Sequence, residues 1–126
     1  MVSGYVWLWV ALGSALGGVA RFGCSDLVAR LTGHRFPWGT LLVNIVGSFV
    51  IGYGAAFVGT ARPLGDPTLA VFLMVGFCGG YTTFSAVSLQ TLTLAQEGAW
   101  RHAAANIVAS VLLCLVATAL GFAVAA

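Results

Sequence analysis

The chain has 126 residues, of which 60% are hydrophobic and only 6% charged, and its mean hydropathy is +1.04; a water-soluble globule of this composition would lack polar surface. Five arginines against Asp26, Asp66 and Glu97 give a formal net charge of +2, with no basic run to track a phosphate backbone. Nucleic acid is therefore not expected as a partner, and the lipid bilayer is the expected solvent. Four spans of roughly 20 apolar residues, the number that crosses about 30 Å of hydrocarbon, use nearly the whole length, so a single transmembrane domain over residues 1–126 is expected.

The first span is expected at about residues 5–31, opening on the interfacial aromatics Tyr5, Trp7 and Trp9. It lacks the basic start of a secretory signal and is followed by three more apolar segments, so it reads as a retained helix. Gly13 and Gly17 form a Gly-x-x-x-Gly pair; between helices in lipid, small residues that let backbones touch are the usual basis of packing. Arg21, late in the span, is costly in hydrocarbon unless it snorkels, pairs or reaches water. It is either an interfacial anchor or partner of Asp26, or a source of positive potential at an anion entrance. Cys24, Cys78 and Cys114 show no metal-type spacing, and structural disulfides are not expected.

The polar turn Thr32-Gly33-His34-Arg35 leads into a second span at about residues 37–59, with Pro37 in a first turn where its missing N–H costs nothing. Asn44 brings two N–H donors to an otherwise apolar helix. An interhelical hydrogen bond, worth roughly 1 kcal/mol in membranes, is its first expected role, and an ion contact the second. Thr40 and Ser48 lie four residues either side of Asn44, so the three groups share one face.

Arg62-Pro63-Leu64-Gly65-Asp66-Pro67 is the clearest breaker, and the third span follows at about residues 68–95. Its middle, Gly76-Phe77-Cys78-Gly79-Gly80-Tyr81-Thr82-Thr83-Phe84-Ser85, is too rich in glycine and hydroxyl residues for a continuous helix, and a break is expected near residues 76–83, centred on Gly76 to Tyr81. Freed carbonyls there suit a cation, and freed N–H groups an anion. Tyr81 and Phe84, three apart, are expected to share a face; their positive ring edges suit an anion, with core packing as the alternative. The fourth span, at about residues 100–125, carries Asn106, Ser110 and Cys114 at spacing four, a second polar stripe. Four crossings put both termini on one side. Arg30, Arg35 and Arg101 against Arg62 favour the loops after spans one and three inside, though with so few charges the bias is weak.

Together, Gly17-Gly18-Val19-Ala20-Arg21, Gly39-Thr40-Leu41-Leu42-Val43-Asn44-Ile45-Val46-Gly47-Ser48 and the third-span motif resemble the Fluc (CrcB) fluoride channels over essentially the whole chain. The resemblance implies an all-α membrane protein of four helices, the third broken, assembled as an antiparallel, dual-topology homodimer that passively exports fluoride across a bacterial inner membrane. It implies that Asn44 contacts the ion, that Tyr81 and Phe84 take the positions of paired pore phenylalanines, and that Asn106 and Ser110 lie on a polar track. Tyr81 stands where the family has Phe, and Asn106 where Tyr or another residue is common. Arg21 would line a vestibule, and a structural sodium ion would rest on carbonyls of Gly76 and Gly79 from both subunits. Fluoride is compact and strongly hydrated. A path of Asn44, ring edges and the hydroxyls of Thr40, Ser48, Thr83 and Ser85 supplies donors without the deep well of a fixed cation.

The rival readings are a small multidrug-type proton-coupled exporter and a non-transporting membrane subunit. The first needs an intramembrane carboxylate, whereas Asp26 and Glu97 fall near span ends and Asp66 in a loop. The second leaves the polar stripes unexplained. No nucleophile and base converge, so no enzymatic activity is expected; His34 and His102 fall near span ends, in interfacial positions.

Overall fold

The computed structural model describes residues 4–57 and 67–126, and it is all-helical. Four helices are long and apolar enough to cross a membrane: Val6–Thr32, Trp38–Ala55, Thr68–Gln96 and Trp100–Ala125. The second ends at Ala55, and the expected extension to residue 59 and the Arg62–Pro67 breaker run into residues 58–66, outside the described residues. The chain is a multi-pass membrane protein.

The packing is that of a protein dissolved in lipid. Leu, Val and Phe side chains are widely exposed, as with Val19, Phe22 and Leu115, while Thr40, Asn44, Asn106 and Ser110 are buried. Hydrophobic burial cannot draw such helices together; close backbone contact does. Span one lies along the first half of span three, and span two along span four. Glycines set both seams. A Cβ on Gly17 would strike the Phe77 carbonyl, and one on Gly80 the Ser14 backbone. Across the other seam, Gly52 faces the Thr118 carbonyl and Gly121 the Phe49 carbonyl with equally little room. Two further glycines turn the chain: Gly33 after span one (φ +86) and Gly98 before span four (φ +79) adopt the positive φ that other residues avoid.

The third span is built in pieces. A turn at Pro67–Ala70 runs into a wide, π-helical stretch, Val71–Cys78, then a tight turn at Gly79–Tyr81. Thr82 (φ −82°, ψ 157°) and Thr83 (φ −152°, ψ 121°) are extended, and a regular helix restarts at Phe84–Gln96. The break therefore falls at the far edge of the expected window, on two β-branched threonines rather than on the glycines from Gly76 to Tyr81. Gly76 and Gly80 instead stay helical, held there by contact with Gly13 and Ser14. Thr83 starts the new helix by accepting the Ala86 N–H on its hydroxyl at 3.1 Å, the usual task of an N-cap.

Candidate ion pathway

Asn44 is the centre of the site. Its amide clasps the broken strand of chain from both sides: Nδ2 donates to the Thr83 carbonyl at 2.9 Å, and Oδ1 accepts the Thr83 N–H at 2.8 Å. In a continuous helix that N–H would bond the Gly79 carbonyl. The interhelical bond expected of Asn44 is thus present, made to backbone. Because the amide carries two N–H groups, one remains uncommitted among the described residues.

Beside this clasp lies a groove of about 670 Å³, lined among others by Asn44, Ser48, Thr83, Phe84, Thr91 and Ser110. Among the described residues, no Asp, Glu, Lys, Arg or His contributes to it. Several hydroxyls there are spent on their own helix, Ser88 on the Phe84 carbonyl and Thr118 on the Cys114 carbonyl. Others are not. Thr91 Oγ1 accepts from Asn106 Nδ2 at 2.9 Å, which leaves its proton to donate, and the buried Ser110 Oγ has no hydrogen-bond partner among the described residues. The groove thus offers neutral donors from Asn44, Thr91 and Ser110, with the exposed Phe84 ring at its edge.

A wider cleft of about 1090 Å³ opens between the ends of the spans, where the 33–37 connection and the 97–99 turn meet. Thr40 and Gln90 line it, joined by a 2.9 Å bond from Gln90 Nε2 to Thr40 Oγ1; Gln90 Oε1 is buried without a partner among the described residues. Thr40 is one turn from Asn44. The stripe Thr40, Asn44, Ser48 therefore runs from cleft to groove.

Other expected residues take different places. Tyr81 does not share a face with Phe84: it stacks on Phe77 at 5.9 Å and lies against Gly47, while Phe84 is 82% exposed beside the groove. The two extended threonines between them turn the chain and undo the spacing argument. Arg21 lies outside the wide cleft. Its Nε donates to the Gly80 carbonyl at 3.3 Å, and Asp26 pairs instead with Arg30 at 2.9 Å. Asn106 is 1% exposed and reaches the groove only through Thr91. Ser85 Oγ is bonded to Thr83 Oγ1 at 3.1 Å on an exposed surface.

The two glycines expected to hold a cation differ. The Gly76 carbonyl already accepts the Ser14 hydroxyl at 3.3 Å and the Gly79 N–H, so both its lone pairs are occupied. Gly79 is exposed, and the Thr83 N–H that a continuous helix would give to its carbonyl goes to Asn44 Oδ1 instead. Of the pair only Gly79 fits a cation. Gln90, Thr91, Val87 and Ser88 went unnoticed in the sequence, although Phe84, Val87, Ser88 and Thr91 recur at helical spacing of three and four and so had to share a face.

Fold and site define a class: a four-span membrane protein with an uncharged, donor-lined groove beside a broken helix. The chain belongs to the CrcB family, since the model of the CrcB-like protein, Camphor Resistance (CrcB), matches residues 8–122. Among similar proteins, one from Opitutus terrae is 52% identical over 117 residues, covering 92% of this chain and 89% of its own length. One from Rhodospirillum rubrum is 53% identical over 116 residues (91% and 90%), and one from Methylocella silvestris 48% identical over 120 residues (94% and 92%). Each bears the name fluoride-specific ion channel FluC.

Proposed function

We propose that this chain is the subunit of a fluoride-specific channel that lets fluoride leave the cell passively across the plasma membrane. The observation that carries the reading is the groove: donors from Asn44, Thr91 and Ser110 stand in a lining without ionisable carboxylate or cation. An anion that has shed water needs such donors, and a fixed cation would hold it too long for fast transit. The names of the relatives point to the same ion. The lining also disfavours the proton-coupled exporter, which needs a carboxylate inside the membrane. Hydrogen fluoride enters as a neutral acid and dissociates inside, so a passive path for the anion suffices.

The working unit is an antiparallel, dual-topology homodimer of a single transmembrane domain. Support comes from the exposed Phe84 and the groove beside it, both at a surface that one chain leaves open, and from the weak arginine bias between the loops. A structural sodium ion belongs to the same assembly, held by the Gly79 carbonyl and its counterpart on the partner. The bound Gly76 carbonyl takes no part. Fluoride efflux from liposomes holding the purified protein tests the reading: rapid fluoride and negligible chloride efflux are expected, with fluoride efflux lowered at least about tenfold in Phe84→Ile. Absence of fluoride efflux from the wild-type protein would rule it out.

A further inference from the structure

The wide cleft gathers ionisable groups that the pathway does not use. Asp26 from span one, His34 and Arg35 from the connection, Glu97 from the turn and His102 from span four all line it. Both histidines are exposed, and the His102 ring stands 6.1 Å from Phe36. The third-span wall supplies Leu89, Gln90, Thr93 and Leu94, none ionisable. Thr40, in the same lining, hands on to Asn44 one turn deeper.

We propose that His34 and His102 make this cleft a pH-sensitive collector of anions at the mouth of the pathway, an inference that rests on the channel reading above. With both imidazoles neutral, Asp26 and Glu97 outweigh Arg35 and the lining carries −1; with both protonated it carries +1. Arg30, paired with Asp26, and Arg101, the residue before His102, each add one positive charge and take the two sums to +1 and +3, so protonation makes a positive mouth more positive by two charges. Histidine changes charge between about pH 5 and 8. A mouth of one sign concentrates ions of the other, an effect that salt screens over about 8–10 Å. The chemistry gives the switch a use: acid surroundings convert fluoride to the permeant neutral acid, so the cleft becomes more positive when the load to be expelled is greatest. In an antiparallel pair one such cleft faces each side.

The test is fluoride efflux from liposomes at about pH 8 and about pH 6, at low ionic strength, with protein-free liposomes subtracted, for the wild type and H34Q/H102Q. Wild-type efflux rises about threefold at the lower pH. The rise is absent in H34Q/H102Q and shrinks by more than half in the wild type at about 0.5 M potassium gluconate. Equal wild-type efflux at both pH values, an undiminished rise in the double variant, or a rise that survives high salt overturns the collector and leaves the channel reading intact. No fluoride efflux at either pH overturns both.

Discussion

Asn44→Asp is nearly isosteric and separates the two halves of the clasp. The new carboxylate still accepts the Thr83 N–H, now at 2.8 Å, but faces the Thr83 carbonyl with an oxygen where Nδ2 had donated across 2.9 Å. One hydrogen bond is lost, about 1 kcal/mol net, and a half-buried carbonyl is left unpaired, another 1–3 kcal/mol. With Asn44 only 7% exposed, the charge itself adds to the cost. The sum is about 2–4 kcal/mol at neutral pH. Thermal unfolding in detergent reads it, and fluoride efflux falls at least about tenfold because the donor is gone and a like charge faces the anion. An Asn44→Asp protein that unfolds at the wild-type temperature at pH 8 would refute the clasp.

Gly52→Ala forces a Cβ against the Thr118 carbonyl and costs about 2 kcal/mol through separation of spans two and four, measured as a lowered unfolding temperature. Thr83→Val removes the acceptor of the Ala86 N–H while leaving the backbone bonds to Asn44, so it costs about 1 kcal/mol. Ser110→Ala removes a hydroxyl with no partner among the described residues; stability stays within about 0.5 kcal/mol of the wild type, while fluoride efflux falls severalfold.

The four spans were legible because length and apolarity are what a bilayer demands, and four helices meet that demand. The polar stripe Thr40, Asn44, Ser48 was legible for a similar reason, since a regular helix fixes which residues share a face. The break was misplaced where that regularity fails. Glycine's intrinsic cost argued for unwinding at Gly76 to Tyr81, but Gly76 and Gly80 are held helical by span one, and Thr82 and Thr83 give way instead. That shift also separated Tyr81 from Phe84. Gln90 and Thr91 were overlooked because each is an ordinary polar residue until it meets Thr40 or Asn106 across a helix seam, and no single-sequence pattern reveals that meeting. Arg21 had two plausible partners in Asp26 and an aqueous entrance; its Nε instead meets the Gly80 carbonyl.

The central claim is that neutral donors in the groove pass fluoride in preference to chloride. The reversal potential across a planar bilayer, with fluoride on one side and chloride on the other, tests it without reliance on any variant. A large potential that makes the fluoride side more positive, close to the limit of a membrane permeable to fluoride alone, is the expected result; a potential near zero, or one set by chloride, would contradict the account.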